Sequence, residues 1–219
     1  MSTTIKISGK RVLRMDTPSR KTKRKKEILK IAANLFAEKS YHDVTMDEIA
    51  QKAGIAKGTI YLYFKSKEKL YLEILEDSYQ VIEAILEKEI ARNDETPEKL
   101  RKILLLIFDF YLKNIDILKI LTRDETHLIK EHYDFTEHWR LRRINLYKKI
   151  LEKGEKEGSF RVVNINLTSL IIFGLVRSVM FYYEPDKSSE HLAGEVYSVI
   201  TKGILETAPK ESGKYKIAN

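Results

Sequence analysis

The stretch TMDEIAQKAGIAKGTIYLYFKSKEKL, residues 45–70, decides how the rest of the chain is read. It opens with helix-entry signals. Thr45 and Glu48 form a T-x-x-E capping box, and Val44 and Ile49 flank it as a hydrophobic staple. Met46, Ile49, Ala50 and Ala53 make an inner face, and Gly54 ends the helix as a C-terminal glycine does. After the GIA turn (54–56) a short helix is expected from about Lys57 to Phe64, and Ser66 caps the next. Two short helices joined by a tight glycine turn are a helix-turn-helix, here spanning 45–64.

Working outward, Ile28, Ile31, Ala32, Leu35 and Phe36 repeat at helical spacing, so a first helix begins near Thr22. After Ser66 the apolar set is Leu70, Ile74, Leu75, Val81, Ile82, Ile85 and Leu86. At about 100° per residue, Ile60 and Phe64 point inward together, while Lys57, Gly58, Tyr61 and Leu62 share the other side. Leu62 either packs in the core or meets a thymine methyl. Gly58 lets the helix approach a groove closely. Thr45, Thr59, Tyr61, Tyr63 and Lys67 suit hydrogen bonds to phosphate, which position a protein on DNA without reading its sequence. The helix N-termini at Thr45 and Ser66 add amide donors.

Charge supports a polyanionic partner. The chain of 219 residues carries a formal +8. Residues 1–26 hold ten basic side chains and one acid, so the rest is close to neutral. Basic character confined to one end is the electrostatic footprint of nucleic-acid binding.

These residues resemble the DNA-binding segment of the TetR family of transcriptional regulators. The family pattern Ala-Gly-(Val/Ile)-x-x-Gly-Thr-(Ile/Leu)-Tyr-x-(Tyr/His)-Phe-x-x-Lys-Glu-x-Leu is met by residues 53–70 with hardly a gap, and the match extends back through RKKEILKIAANLFAEKSYHDVT (24–45). By position, the resemblance implies DNA contacts at Thr45, Lys57, Gly58, Thr59, Tyr61, Tyr63 and Lys67. It also implies a C-terminal part that senses a ligand and dimerises. The long basic start departs from most members.

The remaining chain reads as helical, giving an all-α fold of about nine helices. Thr96 caps a helix with Pro97 at its first position. The segment 98–114 is apolar nearly all round and is expected to be buried. A long helix ends at Gly158, Asn166 caps 167–183 before Pro185, and Ser188 or Ser189 begins a last helix to about Thr207. The expected division is a flexible basic arm (1–20), a helix-turn-helix domain (21–66), a regulatory and dimerisation domain (67–208) and a tail (209–219).

The last two helices are apolar on more than one side and rich in small residues. Gly174, Ser178, Gly194 and Tyr197 are the candidate positions of an intersubunit four-helix interface. Arg177 lies in an apolar helix, where a charge needs a partner, either Glu195 or an anionic ligand. Phe108, Tyr111, Trp139 and Phe173, with Arg177, are the candidate lining of a ligand cavity. Family analogy offers acyl chains, acyl-coenzyme A or aromatic compounds as ligands.

Several classes are disfavoured. The absence of cysteine excludes disulfides and thiolate sites and fits a reducing cytoplasm. The runs ILLLIF (103–108) and LIIFGLV (170–176) are too short to span a bilayer, and no secretory h-region is present at the start. His127 with Glu131 and Asp134 with His138 have chelating i, i+4 spacing, but a solvated face is the expectation and no metal or cofactor is assigned. No catalytic motif is found, so an enzyme is not expected. The leading expectation is a homodimeric repressor released from a palindromic operator by a small, largely apolar ligand. The alternative is a nucleoid- or division-associated DNA-binding protein on the same fold with no small inducer. A sizeable cavity in the C-terminal core favours the first.

Overall fold

A computed structural model describes residues 20–124, 130–182 and 188–202. The basic arm 1–19, His127, Pro185, Thr207 and the C-terminal tail lie outside them. Nine helices are described: α1 (Arg20–Glu38), α2 (Met46–Lys52), α3 (Lys57–Ile60), α4 (Lys67–Ile90), α5 (Thr96–Lys113), α6 (Ile115–Arg123), α7 (Tyr133–Lys156), α8 (Ile165–Tyr182) and α9 (Ser189–Lys202). No strand occurs among the described residues.

Local chemistry accounts for the start of the fold. Thr45 Oγ1 accepts the Glu48 amide at 3.1 Å, and Val44 and Ile49 are fully buried on either side of that cap. The reciprocal half of the capping box is not formed. Glu48 reaches the Lys39 ammonium at 2.6 Å, tying α2 to the end of α1. Gly54 takes the left-handed conformation at φ 63°, where glycine carries no Cβ penalty. Ser66 Oγ accepts the Lys69 amide at 3.1 Å and starts α4.

Helix α3 is shorter than the expected 57–64. After Ile60 the chain tightens into turns, with Leu62 N donating to Thr59 O at 3.2 Å and Tyr63 N to Ile60 O at 3.0 Å. The inward anchors survive the change, since Ile60 and Phe64 are buried. The core of this unit is aromatic: the Phe36 and Tyr71 rings meet edge-on at 5.0 Å, and Tyr41 meets Tyr71 at 4.8 Å.

Helix α4 links this unit to the rest. It packs on α1 at first and on α5 and α7 further along, so its buried face rotates. Val81, expected inside, is therefore exposed, while Ile82 and Leu86 are buried. Two caps move. Glu95, not Thr96, precedes α5, and the Thr96 hydroxyl donates instead to Glu157 at the end of α7. Asn164, not Asn166, caps α8 by accepting the Leu167 amide at 3.0 Å. Gly158, at φ 71°, ends α7 as expected.

Helices α8 and α9 do not chiefly pair with each other. Helix α8 lies along α7, and α9 lies along α5. Tyr197 is partly buried and packs against the core. Helix α8 also corrects the bilayer expectation. Its 18 residues have a mean hydropathy of 1.6, long and apolar enough to cross a membrane by length and composition, yet only 17% are buried. Ser169, Ile172 and Val176 face inward, whereas Leu167, Leu170 and Ile171 are about half exposed.

Candidate nucleic-acid interface and inner cavity

Most of the expected DNA-contact residues are exposed or half-buried at the start of α2, on α3 and in the turns that follow it. Thr45 is exposed at the start of α2, and its hydroxyl accepts from Glu48 while its own proton remains to donate. Leu62 is 74% exposed, which rules out the core reading for it. Tyr61 is exposed beside it, and Thr59 and Tyr63 are half-buried. An added Cβ at Gly58 would meet nothing within 4 Å, and its φ is not positive. Nothing among the described residues therefore requires glycine there.

Two lysines on this surface differ in kind. Lys57 Nζ lies 2.5 Å from Asp47 Oδ2, with both side chains largely exposed, and the hydrogen bond to that carboxylate raises the lysine pKa. Exposed pairs of this sort are weak and exchange readily for another anion. Lys67 is turned inward. Its ammonium donates to Tyr41 O (2.8 Å), Val44 O (2.9 Å) and His42 O (3.4 Å), and burial lowers its pKa. With all three hydrogens on carbonyls, Lys67 holds the loop before Thr45 and is not a free phosphate donor. Arg24 plays a similar part, its Nη2 donating to Ala53 O at the end of α2 at 2.7 Å.

The second feature is a partly open cavity of about 600 Å³ lined chiefly by α7 and α8, with α4, α5 and α6 contributing. Tyr111, Trp139, Phe173 and Arg177, expected at a cavity, all line it. Phe108 does not. It is buried in the core one turn before Tyr111 on the same side of α5, short of the cavity wall. Gly174, expected at the subunit interface, lines the cavity as well; Gly194 and Ser178 are exposed. Arg177 lies 4.8 Å from the Phe181 ring centre, whereas Glu195 sits 3.6 Å from His191 on its own helix, so the expected Arg177–Glu195 pair is not formed.

Residues the sequence reading missed dominate the polar wall. Arg140 is held by Glu137 through two hydrogen bonds, one of 2.7 Å. Arg143 is set among the phenols of Tyr111, Tyr147 and Tyr79. Burial opposes its charge, but these oxygens outweigh that and raise its pKa. Burial likewise pushes the Tyr147 hydroxyl up to about 12 and raises that of Tyr79, so both stay protonated. The signal available in the sequence was RLRR (140–143), which reads as a solvated charge run until α7 is placed. Among the described residues, no group of three or more His, Asp or Glu is arranged to hold a metal ion.

Helix α6 connects the cavity to α1 and α4, the helices on either side of the helix-turn-helix. Leu121 lines the cavity. Two residues on, Arg123 Nη2 donates to Ala37 O at 2.7 Å, at the end of α1. Asp124 accepts the Tyr71 hydroxyl at 3.0 Å, in a buried contact with α4.

Comparison with known proteins agrees with this geometry. Residues 28–74 match the family model described as bacterial regulatory proteins, tetR family, and residues 93–204 match the tetracyclin repressor-like C-terminal domain. The HTH-type transcriptional repressor KstR2 of Mycolicibacterium smegmatis is 26% identical over 197 residues, covering 88% of this chain and 96% of that protein. The fatty acid metabolism regulator protein of Bacillus subtilis is 28% identical over 187 residues, covering 81% and 94%. The crystal structure of the TetR-family regulator PfmR from Thermus thermophilus superposes with a TM-score of 0.71 at 26% identity, covering 81% of this chain and 98% of that one. This chain belongs to the TetR family of bacterial regulatory proteins: it is a DNA-binding transcriptional regulator and not an enzyme.

Proposed function

We propose that this protein is a homodimeric cytoplasmic repressor that binds a palindromic operator and is released from it by a small, largely apolar ligand. The observation that carries the DNA reading is Gly58. It lies in a helix, costs backbone entropy, and has open space where a side chain would be. Its neighbours Lys57, Tyr61 and Leu62 are all exposed. A bare backbone flanked by an ammonium, a phenol and an apolar tip suits a helix laid against bases and phosphates. Lys57 reads a base edge by exchanging Asp47, Leu62 meets a thymine methyl, and Thr45, Thr59, Tyr61 and Tyr63 hold phosphates.

The cavity supports the ligand half of the proposal over the nucleoid-associated alternative. Its size is typical of a site for a small molecule, and aromatic side chains line it. The fatty acid metabolism regulator among its relatives favours a ligand with an acyl chain, free or as a coenzyme A thioester. The half-exposed outer stripe of α8 favours a second copy as its cover.

Gly58→Ala tests the DNA reading. The variant should be more stable by about 0.5 kcal/mol, from the reduced entropy of its unfolded chain. It should bind a selected operator at least tenfold more weakly. Unchanged operator affinity in the stabilised variant would remove α3 from the DNA interface.

A further inference from the structure

The segment Arg140, Arg142 and Arg143 places three guanidinium groups on two sides of α7. Two of them are neutralised by carboxylates: Arg140 by Glu137, and Arg142 by the buried Glu83, whose two oxygens lie 2.7 and 2.9 Å from its Nε. Arg143 is different. Among the described residues no carboxylate pairs with it, and its polar neighbours are the hydroxyls of Tyr111, Tyr147 and Tyr79. All four side chains line the cavity. Arg177, from α8, also acts on the Tyr79 hydroxyl.

A guanidinium that is half-buried, as Arg143 is, carries a cost when no counter-charge meets it, and none does among the described residues. Phenols reduce that cost but do not neutralise it. Each neutral phenol can accept one hydrogen bond from Arg143 and still donate its own proton. The result is a cluster of donors around a positive charge, beside the aromatic walls of Trp139 and Phe173. Among the described residues Glu137 is the acid that lines the same cavity, and it is occupied by Arg140. What such a cluster lacks is an acceptor-only, negatively charged planar group, which a carboxylate supplies in the geometry that guanidinium matches best.

We propose that the effector is a free carboxylic acid on an apolar body, its carboxylate held by Arg143 with the Tyr111 and Tyr147 hydroxyls and its body lying against Trp139 and Phe173. This rests on the cavity being the effector site and narrows the ligand class within it. An acyl thioester or ester, lacking the anionic oxygen at the carbonyl carbon, leaves Arg143 unpaired and binds more weakly.

Binding to the full-length protein is measured by calorimetry for dodecanoate, methyl dodecanoate and dodecanoyl-coenzyme A, and for biphenyl-4-carboxylate and its methyl ester. At least one of the two acids should bind tenfold or more above its own ester, and dodecanoate should bind above its thioester. Arg143→Gln should bring that acid down to the level of its ester and leave the ester unchanged. Tyr111→Phe, which keeps the ring and removes one donor, should lower acid affinity several-fold and serves if Arg143→Gln does not fold. Equal affinity for acids and esters in the unmodified protein, or an acid preference that survives both substitutions, overturns the proposal. If esters or the thioester bind and release the operator without any acid preference, the cavity remains the effector site and only the carboxylate assignment fails. If no member of either series binds, both fail.

Discussion

The Lys67 ammonium lies 4.4 Å from the centre of the Tyr41 ring and within hydrogen-bonding reach of three carbonyls. Those carbonyls belong to the loop that delivers Thr45 to the start of α2. Hydrogen bonds from a charged donor contribute about 1.5–3 kcal/mol where they are sheltered, and Lys67 is partly sheltered. Lys67→Ala should therefore destabilise the protein by about 1–2 kcal/mol in chemical denaturation. Its operator affinity should keep the same salt slope as the unmodified protein. A phosphate-contacting lysine behaves in the opposite way, with little loss of stability and a slope smaller by about 0.9 per subunit. Lys57 is the contrasting case on the same surface: its partner Asp47 is exposed and replaceable, so the side chain is available to DNA.

Helix α6 is nine residues long, borders the cavity and packs on α1, which in turn packs on α2. Leu121 borders the cavity, Arg123 reaches the Phe36 and Ala37 carbonyls at the end of α1, and Asp124 just beyond the helix accepts from Tyr71 of α4. The last carbonyls of a helix lack intrahelical partners, so Arg123 supplies donors that α1 cannot provide for itself. Under the proposed function, a ligand pressing on Leu121 is expected to act on α1 and α4 through the Arg123 and Asp124 contacts. Arg123→Ala should leave ligand affinity unchanged in the absence of DNA. The factor by which ligand weakens operator binding should fall about fivefold, equivalent to the loss of about 1 kcal/mol of coupling. Operator titrations with and without saturating ligand check this. Undiminished coupling would place the transmission elsewhere, with α4 the remaining direct connection.

At the scale of the molecule, the apolar surface of α8 is a feature that the described residues of a single copy leave uncovered. Leu167, Ile171, Gly174, Ser178 and Tyr182 succeed one another at intervals of three and four residues, and four of the five are exposed. Small residues at Gly174 and Ser178 admit a close helix approach. Ile171, 54% exposed, sits on this stripe and outside the cavity lining, so its replacement tests association without disturbing the ligand site. Ile171→Asp should give monomers in sedimentation at micromolar concentration, with a melting temperature close to that of an isolated subunit. Its specific operator affinity should fall at least a hundredfold, because two recognition helices spaced one turn of DNA apart reinforce each other only when joined. A variant that remains dimeric would move the interface off α8.

The helix-turn-helix was legible because its information is local. Caps at Thr45 and Ser66, the left-handed glycine at 54 and the pair Ile60 and Phe64 each act over a few residues, and the structure reproduces all of them. The all-α class was legible for the same reason. Some of the cavity's members were legible, since Tyr111, Trp139, Phe173 and Arg177 stand out in the sequence. The roles of Lys67, Arg143 and Phe108 were not. Each depends on which face of one helix meets another, and that is set by packing between segments far apart in the chain. Arg142 and Arg143 are adjacent in sequence, yet one meets the carboxylate of Glu83 and the other turns into a cage of phenols. The phenols come from α4, α5 and α7, and no periodicity within α7 alone could place all three around a single guanidinium.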